Sequence, residues 1–174
     1  MYKTHNCGEL GLEDIGQEVT LSGWVHRRRD HGGVTFIDLR DRSGLIQIVA
    51  SPQINTEAMR KLEYVRMEWV LQVFGVVRKR APGMENPRLS TGDIEIEVNN
   101  VVILNRAKTP PILVSGDEVP DEQLRLRYRY LDLRREKMLR NLSLRHRVVK
   151  FIRDYLDRYG FLEIETLILF KTTP

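Results

Sequence analysis

Apolar and polar residues alternate along the first hundred positions in a way that marks strands. The run EVTLSGWVH from Glu18 sets Val19, Leu21 and the Trp24/Val25 pair at the spacing of a half-buried strand, and Gly23 within it marks a bulge or sharp bend. RRRDHGG then reads as a basic loop. Two further strands follow, VTFIDLRD and GLIQIVAS, joined through Asp41, Arg42, Ser43 and Gly44, residues suited to a hairpin turn. Between Asn55 and Val65 the spacing of Ala58, Met59, Leu62 and Val65 becomes helical, with Asn55 or Thr56 placed to cap the first turn. EWVLQVFGVVRKR supplies a fourth strand through Val77, and beyond the turn-rich APGMENPRLSTG the run DIEIEVNNVVIL supplies a fifth.

Three strands, a helix and two strands, with a glycine inside the first strand, predict a mainly β fold: a five-stranded Greek-key OB barrel, whose exposed face commonly binds oligonucleotides. Fold alone does not fix the ligand. After Asn105 the pattern lapses, because AKTPPILVSGDEVPDEQ carries three prolines and four acids and reads as a connector. Helical spacing returns with Met138, Leu142, Val149, Ile152 and Leu156, flanked by Leu139, Val148, Tyr155 and Tyr159, in a long amphipathic helix ending at Gly160. FLEIETLILF then predicts a terminal strand that needs a partner outside this stretch, since one helix and one strand cannot build a core. The expected organisation is a barrel over 1–106, a linker over 107–129, and a helical extension with the terminal strand over 130–174.

Composition narrows the class. The chain has 174 residues, 41% hydrophobic and 30% charged, which describes a soluble globular protein of one to one and a half domains. No apolar run approaches the roughly 20 residues that span a bilayer, and MYKTHNCGELGLEDIG has no apolar signal core, so the expected location is cytoplasmic, with no membrane partner. A single cysteine, Cys7, excludes a disulfide framework. The net charge of +4 is a weak pointer to a polyanion, but its distribution says more: twelve basic residues lie between Arg125 and Arg158, preceded by Asp117, Glu118, Asp121 and Glu122.

The richest candidate chemistry is WVHRRRDHGGVTFIDLRDRSGLIQIV. Single-stranded RNA is held by stacking its bases on aromatic rings, by hydrogen bonds to base edges and by arginines on phosphates. Phe36 is the candidate stacking ring, Gln47 the candidate edge reader, and Arg27, Arg28 and Arg29 the candidate charges. The competing reading puts Phe36 in the barrel core and the arginines in a solvated turn. Alternation favours exposure, because Phe36 shares a strand face with Asp38 while Ile37 and Leu39 share the other. Arg78 and Arg80, two apart at the end of their strand, can point the same way, the competing reading being a plain charged strand end. His5, His26, His31 and His146 show no metal-ligand spacing, and G-x-S-x-G, G-x-x-x-x-G-K-[ST] and G-x-G-x-x-G are all absent, so no metal, cofactor or catalytic residue is assigned.

GWVHRRRDHGGVTFIDLRDRSGLIQIV, followed downstream by LRLRYRYLDLRR and GFLEIET, closely resembles the N-terminal part of bacterial aspartyl-tRNA synthetase over essentially the whole chain. The resemblance implies an anticodon-binding OB domain, a hinge, and the first helix and strand of a class II catalytic domain. It implies that Phe36 stacks on the middle anticodon base, that Gln47 reads that base, and that Arg29 lies near the first and middle bases. By the same resemblance Glu95 lies near the first base, Arg78 and Asn86 approach the third, and Arg80 contacts the tRNA backbone. The family's F-R-x-E and G-x-G-x-x-R strings, which bind ATP and activate aspartate, do not occur in these 174 residues.

Two more positions bear on selectivity, because aspartate and asparagine anticodons differ at the third base. His31 and Gly83 resemble the pair of relaxed aspartyl enzymes, which implies binding of both tRNA-Asp and tRNA-Asn. Leu167 stands where the family's first class II motif has proline after GFLEIET, and that motif builds a dimer interface. The reading is a non-catalytic tRNA-binding module, either a truncated paralogue or a fragment of a full aspartate-tRNA ligase. The alternative is an interaction or regulatory subunit that forms a homodimer or a heteromer with full-length aspartyl-tRNA synthetase.

Overall fold

The computed structural model describes residues 2–116 and 118–169. The chain divides into two compact units, Met1–Ser115 and Gly116–Pro174. The first is a barrel of β1 (Glu18–His31), β2 (Val34–Arg40), β3 (Leu45–Ala50), β4 (Val70–Lys79) and β5 (Ile94–Asn105), with α1 (Thr56–Glu63) between β3 and β4. The strands close in the order β1-β2-β3-β5-β4, so the sheet keeps no free edge. All neighbours are antiparallel except β3 and β5, which meet in parallel at Ile48↔Ile96 and Val49↔Glu97.

Alternation fills the interior. Val19, Leu21 and Val25 of β1, Ile37 and Leu39 of β2, Ile46 and Ile48 of β3, and their counterparts on β4 and β5 point inward and are buried. Ala58 and Leu62 of α1 join the same core, and the Asn55 side chain caps the helix by accepting the Ala58 N–H at 2.9 Å. The β2–β3 turn is tied by Asp41, which accepts from the Ser43 N–H at 2.8 Å and the Cys7 N–H at 3.0 Å.

Two expectations about β1 are corrected. RRRDH is not a loop: β1 runs on through His31, and the turn is only Gly32 and Gly33, with φ of 57° and 78°. Two successive positive φ values define the tight hairpin whose twist matches the flanking strands, so the basic residues stay in the ladder. The bulge does not fall at Gly23, where a Cβ would sit 2.5 Å from the Arg40 carbonyl oxygen; the register shifts between Val25 and Arg27, at His26.

The second unit contains α2 (Glu122–Arg127), α3 (Arg129–Asp132) and α4 (Glu136–Arg158). The Asp132 carboxylate, fully buried, accepts from Arg125 Nε at 3.0 Å and Arg129 Nη1 at 2.7 Å, with Arg135 Nη1 at 4.0 Å. At the end of α4, Phe161 N–H donates to the Leu156 carbonyl and Gly160 N–H to that of Asp157, with Gly160 at φ 79°, a Schellman termination. The expected terminal strand does not form a ladder: residues 161–169 have no strand pairing, because a strand requires a partner and these residues meet none among the described residues. Phe170, the end of that expected strand, and Asp117 of the acidic run lie outside the described residues.

Candidate nucleic-acid interface

The hairpin register decides which side chains share the outer face of the barrel. Arg29 pairs with Phe36, Arg27 with Asp38, Asp38 with Gln47, Phe36 with Val49, and Arg78 with Glu95. Directly paired residues point to the same side of a sheet, so these side chains form one continuous surface over all five strands. Phe36 is half-buried there while its neighbours Thr35 and Ile37 are buried on the other side, the arrangement that alternation predicts.

A hydrogen-bonded chain crosses this surface. Arg29 Nη2 donates to Asp38 Oδ1 at 2.7 Å and to Gln47 Oε1 at 3.2 Å, and Gln47 Nε2 donates to Glu95 Oε2 at 2.8 Å. The network fixes the amide orientation of Gln47, because only its carbonyl can face a guanidinium and only its NH₂ a carboxylate. One lone pair and one N–H of that amide are used, and Gln47 itself is 7% exposed, held within the network between Arg29 and Glu95. Arg78, exposed, lies 3.5 Å from Glu97 and extends the face along β4 and β5.

The expected residues separate. Arg27, Arg29, Phe36, Gln47, Arg78 and Glu95 converge on the outer face. Arg28 does not join them: it pairs with Ile37, faces the other way, and forms an ion pair with Asp30 at 2.6 Å. Arg80, expected on the tRNA backbone, is 5% exposed; its Nε donates to the Ile94 carbonyl at 2.9 Å and its Nη2 has no hydrogen-bond partner among the described residues. Burial lowers the Arg80 pKa against the opposing pull of Glu95 and Asp38.

His31 is exposed at the end of β1 beside the turn, paired with Val34. Gly83 has φ +83° in the loop between β4 and β5, and no atom lies within 4 Å of where a Cβ would sit, so space does not dictate its lack of a side chain. Asn86 in the same loop is half-buried and its Oδ1 accepts from the Arg88 N–H at 3.1 Å, an interaction that shapes the loop. Asp38 was legible only as a sign of a wet face, although it orients Arg29. Three residues escaped sequence reasoning as a group: His26, Arg40 and Glu68, which meet where β1 bulges. No local spacing relates Glu68 to the other two.

A closed five-stranded barrel with an aromatic ring, an amide and paired charges on one outer face defines a nucleic-acid-binding OB domain, and residues 19–104 match the family described as OB-fold nucleic acid binding domain, anticodon type. Residues 121–174 match the class II tRNA synthetases of the D, K and N group. The chain carries an anticodon-binding OB domain and the start of a class II tRNA synthetase domain, and the relatives it resembles are bacterial aspartate–tRNA ligases. It is 56% identical over all 174 residues to the aspartate–tRNA(Asp/Asn) ligase of Moorella thermoacetica, and 52% identical to the aspartate–tRNA ligase of Geobacillus kaustophilus. The chain spans 29% and 30% of those relatives' lengths. The asparaginyl-tRNA synthetase of Pyrococcus horikoshii, solved with asparaginyl-adenylate, shares the fold at a TM-score of 0.81 and 24% identity, over 97% of this chain and 37% of that one. Among the described residues no helix is long and apolar enough to cross a membrane.

Proposed function

We propose that the outer face of the barrel reads the anticodon of tRNA-Asp and tRNA-Asn, and that this chain binds tRNA without aminoacylating it. The observation that carries the reading is the bridge from Arg29 through Gln47 to Glu95 beside Phe36, which holds donors and acceptors in place before a base arrives. Phe36 stacks on the middle base, Gln47 and Arg29 read its edge, and Glu95 accepts hydrogen bonds from a guanine in the first position. Arg78 and Asn86 approach the third base, with His31 and Gly83 at the edge of the site leaving discrimination there relaxed. The name of the Moorella relative includes both tRNAs, while that of the Geobacillus relative includes no asparagine acceptor.

The test is equilibrium binding to tRNAs carrying aspartate, asparagine and unrelated anticodons. The expected result is tight binding of the first two only. Equal affinity for all three would remove anticodon reading, and a preference of about tenfold for aspartate over asparagine, about 1.4 kcal/mol, would confine the reading to tRNA-Asp.

One observation favours a second reading, an interaction subunit pairing with a second copy or with full-length synthetase. Leu142, Val149, Ile152 and Leu156 of α4 are exposed, as are Leu162, Ile164 and Leu167 beyond it. A sedimentation profile that remains monomeric at high concentration, with no capture of full-length synthetase, would leave it without support.

A further inference from the structure

The register of β1 against β2 contains one residue too many. Val25 pairs with Leu39, but the next pair is Arg27 with Asp38, so His26 and Arg27 together oppose a single residue of β2. The extra residue reverses the phase of the strand. Before it the odd-numbered residues Val19, Leu21 and Val25 face the core; after it Arg27 and Arg29 face outward and Arg28 faces the side of Ile37. In an unbulged strand of the same sequence, His26 would oppose Asp38, Arg28 would oppose Phe36, and Arg27 and Arg29 would turn toward the core.

The bulge is clamped from the segment before β4. Glu68 N–H donates to the Val25 carbonyl at 2.8 Å, and Val25 N–H donates to the Trp69 carbonyl at 2.9 Å. Glu68 holds φ at 63°, the one positive value among the described non-glycine residues. Both carboxylate oxygens accept from Arg40 Nη2, at 3.0 and 2.8 Å, and Arg40 Nη1 lies 3.0 Å from His26 Nδ1. Arginine only donates, so His26 is neutral and accepts through Nδ1. Glu68 is 8% exposed, and the Arg40 side chain 15%, so each charge depends on the other for its pairing.

We propose that Glu68 is a positioning residue for RNA recognition: through Arg40 and His26 it holds the β1 bulge that places Arg27 and Arg29, rather than Arg28, on the face with Phe36 and Gln47. The proposal rests on the anticodon reading given above, and it adds a residue that lies off the RNA face and sets the face's content. It carries a distinctive consequence. Deleting His26 removes the surplus residue, so that Arg27 falls opposite Asp38 in a regular ladder with no clamp required.

The test compares the 174-residue chain, its Glu68→Gln variant, and the same variant with His26 deleted. Each is measured for affinity to an anticodon stem-loop with the aspartate sequence and to one with the middle uridine replaced by cytidine. Glu68→Gln is expected to lower the ratio of the two affinities, and deletion of His26 to restore it to the wild-type level. Simple loss of folded protein lowers both affinities together and leaves the ratio alone. A Glu68→Gln protein with the wild-type ratio overturns the proposal, as does a lowered ratio that a folded deletion variant fails to restore. Cross-strand NMR contacts supply a measurement that needs no RNA and no deletion: Arg29–Phe36 contacts should weaken in Glu68→Gln and Arg28–Phe36 contacts appear. Their full persistence refutes the clamp, whereas a wild-type protein that does not distinguish the two loops refutes the anticodon reading itself.

Discussion

Adjacent residues of β2 should separate binding from stability. Phe36 lies half-buried on the outer face and Ile37 is fully buried in the core, so alanine at each removes a large apolar side chain from opposite sides of one strand. Truncating a buried isoleucine costs about 2–5 kcal/mol. For a chain of this size each kcal/mol lowers the melting temperature by about 2–4 °C, so Ile37→Ala should melt markedly earlier. Phe36→Ala should melt near wild type, because the ring's direct strand neighbours are Arg29 and Val49 on the solvent side. Stacking of a base on an aromatic ring contributes about 1–3 kcal/mol, so Phe36→Ala should weaken binding to the aspartate anticodon by about 5- to 150-fold. Thermal unfolding followed by circular dichroism, together with fluorescence anisotropy below the transition of either variant, reads both quantities. Wild-type affinity in Phe36→Ala would refute the stacking role. An equal loss of affinity in fully folded Ile37→Ala would show that the two faces are not separated as the register requires.

Three other outcomes are expected. Burial, aided by Arg40, holds the His26 pKa below its usual 6.5 against the opposing charges of Asp38 and Glu68, so the unfolded chain takes up the proton first; barrel stability should fall as pH drops below 6.5 and this component should vanish in His26→Asn, as denaturant titrations at several pH values will show. Burial raises the Asp132 pKa, but hydrogen bonding and charge from Arg125, then the charges of Arg129 and Arg135, outweigh it and leave the pKa below 3.8; protection of amides over residues 122–135 should therefore persist above that value, fail as pH falls through the folded pKa, and be lost at neutral pH in Asp132→Asn, with unchanged exchange in that variant counting against the clamp. Each phosphate neutralised by the basic face should add about 0.7 to the magnitude of the log-log salt slope when a short single-stranded RNA with the aspartate anticodon binds; a slope near zero would remove phosphate contacts from the account.

What the sequence determined by itself was local. The period of two placed Ile37 inside and Phe36 outside, and Asn55 marked the start of α1, because each depends on neighbours a few residues away. The strand character of RRRDH was not legible, since charged residues have little preference for strands and enter the ladder only because β2 lies alongside to receive their backbone. Nor was the fate of individual arginines: Arg28 and Arg80 have the same composition signal as Arg29 and Arg78, yet one faces away and the other is buried at the Ile94 carbonyl. The phase of β1 depends on Glu68, forty-two residues beyond the bulge it holds, and FLEIETLIL remains unpaired because no described strand of its own chain comes to meet it. Periodicity records which side of an element is apolar; only the closed barrel decides which polar side chains meet on the other side, because pairing between distant strands sets their register.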